Sequence, residues 1–282
     1  MKTTYFTKAS LLCLLTLLMF FTGCCIYIGS CPALAKYERQ VQLSAPLPPG
    51  SAFSAQTHNG SITIEGADVA DCNLTATIIA RAVTEADAKK LAEEIKIKLE
   101  RFGSKLTAKI EKPASMTNQS VSVNLNLTVP EQSDLELTTH NGSVRITNIT
   151  GRVNAATHNG RAIATTVSGT INLRTHNGSV TCRESSGDIN LRTHNGKIIA
   201  VYAKNAPPVC DVSIVTHNGN VDFTAPPNFS AAVKTSTHNG SINTDLPITV
   251  IGKVSRGKLT GTIGAGQGKL HIETHNGSIK IR

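Results

Sequence analysis

Thr-His-Asn-Gly occurs eight times in this chain, with histidines at His58, His140, His158, His176, His194, His217, His238 and His275. Eight of the nine histidines therefore sit in one motif. Successive intervals are 82, 18, 18, 18, 23, 21 and 37 residues. A short period that recurs unchanged marks a repeat architecture, in which each unit buries its apolar face only against the units beside it.

Around the motif the residues alternate between apolar and polar. Ile171-Asn172-Leu173-Arg174-Thr175-His176-Asn177-Gly178-Ser179-Val180 has its copy in Ile189-Asn190-Leu191-Arg192-Thr193-His194-Asn195-Gly196-Lys197-Ile198. This pattern predicts a half-buried strand, a tight turn and a second half-buried strand. The turn falls to Asn-Gly because both residues tolerate positive φ. A second turn follows at Ser168-Gly169-Thr170 and again at Ser185-Ser186-Gly187-Asp188. Such units form either an antiparallel meander of hairpins or a coil stacked on its neighbours. The coil is expected, because strands stacked about 4.8 Å apart let Asn hydrogen-bond up its own column and let Thr and Ile pack on their own copies. The fold class is thus all-β: a single-chain β-solenoid, or β-helix, of about 18 residues per rung. The absence of Trp and the 4% aromatic content suit a thin core of small β-branched side chains.

The longer intervals have local causes. Pro207-Pro208 and Pro226-Pro227 push loops out of the ladder, since proline donates no hydrogen bond. The 37-residue interval reads as one degenerate rung, with Arg256-Gly257 in place of Asn-Gly, followed by glycine-rich residues 261–268. The 82-residue interval predicts the one substantial helix, over residues 84–102. There Ala88, Leu91, Ala92, Ile95, Leu99 and Phe102 form a 3.6-residue stripe, Thr84 and Asp87 resemble a capping box, and Gly103 is the stop. Strands are expected at 74–80, 106–110 and 121–130, with the helix covering the first end of the stack, where an open edge invites aggregation.

Residues 1–23 read as an export signal: Lys2 and Lys8 precede an apolar run too short to span a bilayer. The run ends in Phe21-Thr22-Gly23-Cys24, which resembles the bacterial lipoprotein signal, with Cys24 the residue to be lipidated. Each buried CH₂ of the acyl chains would contribute about 0.8 kcal/mol, enough for stable attachment. Residues 24–36 are then a tether and 37–282 the solenoid domain. Loss of the signal removes two lysines and no acid, so the charge falls from +9 to +7. An exported basic protein is drawn to anionic headgroups or acidic glycans. Cys25, Cys31, Cys72, Cys182 and Cys210 lack metal-type spacing, and export permits disulfides, Cys25–Cys31 being the easiest pair.

These features together resemble a bacterial family of candidate adhesins of uncharacterised function, related to the head domains of some autotransporter-like adhesins. The pattern is an alternating strand that ends in Pro, followed by T-x-N-G-x-[IV] rungs separated by Gly turns. Residues 121–130 lead here into Thr139-His140-Asn141-Gly142-Ser143-Val144, and the chain ends in Thr274-His275-Asn276-Gly277-Ser278-Ile279. The resemblance covers residues 37–282. It implies a β-solenoid and an envelope location, and it brings no catalytic residues with it. The uniform His before Asn-Gly departs from the family's variable residue.

Three chemistries follow from the repeats. In register, His140, His158, His176 and His194 form an unbroken column that could converge on Zn²⁺ or Cu²⁺. Acids able to orient such ligands are scarce apart from Glu273, so no metal and no cofactor is assigned. Protonating all nine histidines would carry the charge from +7 to +16, which predicts lower stability in acid. Arg174 and Arg192 share one rung position, and Arg161 and Lys197 another; such rows of cations suit an acidic polymer. Catalysis is not expected, because catalytic sites are singular and this motif occurs eight times. Nucleic acid is excluded by export and by the lack of stacking aromatics. The reading is therefore a non-enzymatic envelope lipoprotein that acts as an adhesion or scaffold surface. Its partners would be the membrane through the anchor and an envelope glycan, an anionic polymer or another envelope protein. The alternatives are an envelope-stress or membrane-associated sensor and a histidine-ladder metal-binding protein.

Overall fold

The computed structural model describes residues 34–113, 119–251 and 255–282. The signal, Cys24, the Cys25–Cys31 pair and most of the tether lie outside the described residues. In chain order β1 (Ala35–Pro46), β2 (Ser51–Asn59), β3 (Ile62–Ala67) and β4 (Asp71–Ala82) precede α1 (Glu85–Glu94). A hairpin of β5 (Lys96–Phe102) and β6 (Lys105–Glu111) comes next, then β7 (Ser120–Pro130) and β8 (Ser133–Asn141). The regular coils are β9 (Val144–Asn159), β10 (Ala162–Arg174) and β11 (Val180–Asn195). After them come β12 (Ile198–Tyr202), β13 (Asp211–Asn218), β14 (Val221–Thr224), β15 (Ala231–Asn239) and β16 (Ile242–Thr244). The last four strands are β17 (Thr249–Val250), β18 (Lys258–Ile263), β19 (Gly268–Asn276) and β20 (Ile279–Ile281).

The coils stack as parallel strands in register. Ile171 lies between Val153 and Ile189, and Asn172 between Asn154 and Asn190. Each coil has two walls. One leads into the Thr-His-Asn-Gly corner (β2, β8, the later halves of β9 to β11, β13, β19 and β15), and the other leaves it (β3, the earlier halves of β9 to β11, β12, β14, β20 and β16). The inward positions of both walls form one core, in which Ile146, Ile171, Leu173, Leu191, Ile198 and Ile214 are fully buried. The prolines at 207–208 and 226–227 lie in the loops between β12 and β13 and between β14 and β15, outside the ladder.

The spatial order of coils departs from the chain order at the C-terminal end. β19 pairs with β13 on one side and β15 on the other, and β20 lies likewise between β14 and β16. The chain thus leaves a gap after His217, builds the His238 coil one level further on, and returns to fill the gap with the His275 coil. The expected degenerate rung at Arg256-Gly257 is corrected: β18 runs antiparallel on β15 and pairs with β17, so this segment is a hairpin that covers the last coil's edge. That cover ends the ladder where a bare strand would recruit another chain.

At the other end, β7, β4 and β1 continue one wall beyond the first coil, and β6 and β5 continue the other. Helix α1 packs on β1 and β4, and Leu91, Ala92 and Ile95 join the core. Thr84 caps it, its hydroxyl accepting from the Asp87 amide at 3.1 Å, and the Arg39 guanidinium donates to the Ala92 carbonyl at the helix C-terminus at 2.9 Å. The helix expected over 84–102 stops at Glu94. Ile95 is already extended (φ −73°, ψ 120°), and every residue from Lys96 to Phe102 pairs with β6. Ile95, Leu99 and Phe102 satisfied a helical spacing, but Ile97 and Leu99 are an equally good strand alternation, and pairing across Gly103 (φ 59°) decided between them. Phe102 is 91% exposed at the hairpin tip.

The insertion of β19 and β20 has a test. Deleting residues 268–282 should open a gap inside the stack and leave β13, β14, β15 and β16 each without one partner. The thermal midpoint by circular dichroism is expected to fall by about 10 °C or more, with association on gel filtration. A coil built in simple chain order would lose only its last layer, so a midpoint within about 2 °C of the parent removes this topology.

Candidate functional site

The four letters of the repeat occupy four parallel columns, and each has its own physical cause. Threonine points inward and is buried. The Thr157, Thr175 and Thr193 hydroxyls donate to the carbonyls of Gly142, Gly160 and Gly178 on the preceding coil at 2.8, 2.9 and 2.9 Å. Asparagine builds an amide ladder: Asn177 Nδ2 donates to Asn159 Oδ1 at 2.9 Å, and Asn195 Nδ2 donates to Asn177 Oδ1 at 2.8 Å. The ladder runs on through Asn218, Asn276 and Asn239, each bond 2.7 Å long.

Glycine is required by close approach. A Cβ on Gly142, Gly160, Gly196, Gly219 or Gly240 would lie within 3.0 Å of the carbonyl oxygen of the glycine on the adjoining coil, and none of these five has left-handed φ. The corner asparagines are not left-handed either. Positive φ is found at three corner glycines, Gly60, Gly178 and Gly277 (133°, 159° and 157°), so the reason given from the sequence holds there and not at the asparagines or the other five glycines. The left-handed non-glycine residues lie at the opposite corner, at Asn148, Thr166 and Glu184 (φ 56°, 53° and 50°), spaced by one coil.

Histidine stands on the outside, exposed along the whole edge. Consecutive rings stack with centroids 4.7–4.9 Å apart and planes 1–14° from parallel, in the order His58, His140, His158, His176, His194, His217, His275, His238. Imidazole lone pairs lie in the ring plane, so stacked rings aim them side by side and not at a shared point. A separation near 4.8 Å also exceeds two metal–nitrogen bonds of about 2.1 Å. His140, His158, His176 and His194 would have to leave the stack to share one ion, and among the described residues no group of three or more His, Cys, Asp or Glu is placed to hold a metal.

The proposed cations fall differently. Arg174 and Arg192 are direct neighbours on the outer face, between Ala156 and Val215. Arg161 and Lys197 belong to one column, but the coil of Ser179 separates them, and Lys197 is taken up by Asp222 at 2.5 Å. One feature escaped the sequence. Beside His58, His140 and His158 the hairpin strand β6 leaves an open cleft of about 830 Å³ that includes Lys105, Lys109 and Lys112. No repeat signals it, because it depends on residues 96–102 being a strand.

The thiols offer no reactive site. Cys72, Cys182 and Cys210 are free and buried, and burial pushes the first two up to about 12. Tyr202 lies among the core groups, its hydroxyl donating to the Gly187 carbonyl at 2.6 Å. No described helix is long and apolar enough to cross a membrane.

Fold and site together define a single-chain β-solenoid-like protein with a columnar polar edge. The chain belongs to the Toastrack DUF4097 family, whose model matches residues 46–282. Among solved structures it is similar to a candidate adhesin from Bacteroides fragilis NCTC 9343, at 12% identity, covering 86% of this chain and 97% of that one, with a TM-score of 0.39. A candidate cell adhesion protein from Clostridium sporogenes ATCC 15579 is 12% identical over 86% and 99% of the two chains, with a TM-score of 0.33. A candidate lipid-binding protein from Parabacteroides distasonis ATCC 8503 is 10% identical over 86% and 97%, with a TM-score of 0.31. No curated protein matches the chain significantly.

The columns rank their own substitutions. Gly160→Ala should cost about 3 kcal/mol or more, because backbone must move. Asn177→Ala removes two ladder bonds and should cost about 2 kcal/mol, while His176→Ser at the exposed position should stay within about 0.5 kcal/mol. Urea unfolding gives the order, and an Asn177→Ala variant no weaker than His176→Ser would refute the ladder.

The stacked rings also set a pH dependence. Two unit charges about 4.8 Å apart repel by about 0.9 kcal/mol even in water, and each inner ring has two neighbours. Arg161, Arg174 and Arg192 are further exposed cations of the same repeats, Lys197 is neutralised by Asp222, and the acid Glu273 stands two residues before His275. Charge on adjacent rings would therefore repel in the folded stack and not in the unfolded chain, so acid is expected to lower stability. The unfolding midpoint is expected to drop between pH 7.5 and 5.5. A level midpoint contradicts the repulsion.

Proposed function

We propose that this chain is a non-catalytic binding protein of the cell envelope, exported and held to a membrane through lipid on Cys24, with the histidine–asparagine edge as its adhesion or scaffold surface. The observation that carries this reading is the edge itself. Eight copies of one aromatic, hydrogen-bonding side chain stand in line over seven steps of about 4.8 Å, a contact surface about 34 Å long. Threonine is buried, glycine is held against the adjoining backbone and asparagine commits its exposed amide to the ladder, whereas histidine presents its ring nitrogens outward. Repetition suits a partner that is itself extended or multivalent, since many weak contacts then act together. It does not suit bond-breaking chemistry, which needs a singular arrangement of acid, base or nucleophile. The names carried by the similar solved structures, adhesin and lipid-binding protein, agree with a binding role.

The test separates anchor from edge. Cys24→Ala should move the protein from the membrane to the soluble fraction. The released protein, added back to cells of the same strain, should bind them. Changing His176, His194, His217 and His275 together to Ser should leave the far-ultraviolet circular dichroism unchanged and reduce that binding at least about tenfold, the scale of a lost multivalent contact. Undiminished binding removes the edge as the adhesive surface, and membrane retention of the Cys24→Ala form removes the lipid anchor.

A further inference from the structure

We propose that an acidic oligosaccharide binds in the cleft beside the first three coils and runs from it along the outer face of the wall that leads into the histidine corner. This rests on the reading of the chain as a binding protein and names the site and ligand class that reading leaves open.

The cleft arises from a mismatch between two strand partners of β2. On one side β8 follows β2 from Ser51↔Ser133 to Asn59↔Asn141, while on the other β6 pairs only from Ala52↔Lys105 to Ala55↔Ala108 and then departs. Ala52 donates its amide to the Ser104 carbonyl on that side. Amides alternate along a strand, so the Gln56 and His58 amides face the same way. Beyond Ala55 that edge has no strand partner among the described residues.

The charge of the cleft is one-sided. Its lining holds Lys105, Lys109 and Lys112 against the single acid Glu136, a net +2 before any histidine is protonated. Glu136 is engaged by Lys105 at 2.6 Å. Lys109 reaches Glu100 at 3.3 Å and Glu111 at 3.8 Å, both exposed-side contacts of the hairpin. Lys112 has no ion-pair partner among the described residues, and its ammonium is held below the usual lysine range by burial, with no carboxylate to offset it. A partly desolvated cation without a counter-charge is relieved by an anion.

The lining between the cations is polar: the Gln56 amide, the Thr138 hydroxyl and the rings of His58 and His140. This mixture of donors and acceptors suits sugar hydroxyls as well as carboxylates. Small Ala55, Ala108 and Ala156 are the apolar part of the lining, alongside Ile110, and give no deep slot for an acyl chain. The β2 edge without a strand partner spans only Gln56 to Asn59, and Thr57 and Asn59 there already donate to the Val123 and Val121 carbonyls, so it is too short to hold a peptide as an added strand.

Register then extends the cleft into a track. Gln56, Thr138, Ala156, Arg174 and Arg192 occupy one outward column on five successive coils. Ala156 leaves the path open, and the two arginines stand next along it, with Arg192 braced by the Asn190 side chain at 3.2 Å. Val215 and then Glu273 follow, so the cationic track ends there. Its four steps span about 19 Å, a length for an extended oligomer and not for a single small ion.

Isothermal titration of the full-length protein with a uronic-acid tetrasaccharide, a neutral tetrasaccharide, inorganic phosphate and phosphatidylglycerol vesicles tests the assignment. The acidic tetrasaccharide is expected to bind, more weakly at higher salt. The Lys109→Ala/Lys112→Ala pair should weaken binding at least about tenfold and the Arg174→Ser/Arg192→Ser pair several-fold, the scale of lost charge-assisted contacts. Lys109→Arg/Lys112→Arg should retain binding, which separates lost charge from lost fold. Equal binding of the neutral sugar, or wild-type affinity in both charge-removing pairs, overturns the proposal. Vesicle binding without saccharide binding also overturns it and assigns the cations to headgroups, and phosphate competing alone at equal affinity reduces the site to a simple anion site. The four histidines varied in the cell-binding test lie outside this lining, so cell adhesion that survives loss of the lysines leaves the edge intact while the cleft assignment fails.

Discussion

The approach of backbone to backbone at the Thr-His-Asn-Gly corner governs the rest of this molecule. From Gly142 onward each glycine there rests so near the carbonyl of the glycine on an adjoining coil that no side chain could stand between them, and Gly60 makes the same approach to the Val123 carbonyl of β7. With that contact made, successive coils have no freedom to slip, and every other column follows. The threonine hydroxyl reaches the same carbonyl, the asparagine amide reaches its own copy, and the histidine ring is left at stacking distance from its neighbours. A one-residue slip would turn every inward Ile and Leu to solvent and break all of these columns at once. Register is therefore specified twice, by the core and by the corner.

That double specification explains how a coil can be placed out of chain order. A coil recognises its place through corner and wall geometry that is the same at every level, so the interior of the stack does not distinguish the coil that follows in sequence from another. The choice falls to the connections. Between the His238 and His275 corners the chain spends its longer interval on β17 and β18, which cover the outer edge of β15, and this returns the chain to the side where β13 and β14 still lack partners.

What the sequence made legible follows from the same physics. The 18-residue coil, the strand alternation and the in-register columns were readable because each is a local pattern repeated on neighbours. The threonine and glycine causes were less so: Asn-Gly carries the signature of a left-handed turn, which only Gly60, Gly178 and Gly277 bear out, and only the stacked coils reveal that space excludes a side chain at every corner glycine. Residues 96–102 were ambiguous because Ile95, Leu99 and Phe102 fit a helix while Ile97 and Leu99 fit a strand, and the deciding partner β6 was as near in a hairpin as any helical turn. The order of the last two coils was not legible at all, since the His238 and His275 motifs are interchangeable by pattern. The same holds for the cleft, where Lys109 and Lys112 gain meaning only once β6 is seen to leave β2.

The two ends of the stack are chemically unequal, and this orients the molecule. The described chain begins at β1, whose first residue Ala35 pairs with Ala82 on β4, while Arg81 on β4 pairs with Ser120 on β7. The next residue, Val121, presents its carbonyl to Asn59 at the first corner of the column. The chain thus comes into the fold at the end of the stack that carries the first histidine and the cleft, with β4 and β7 between β1 and that corner, and the left-handed corner of the coils lies on the far side. The histidine column and the lysine cleft thus share one side of the protein, and the hairpin that covers β15 closes the opposite end of the stack from β1, so one end of the histidine column lies beside the cleft and the other beside that hairpin.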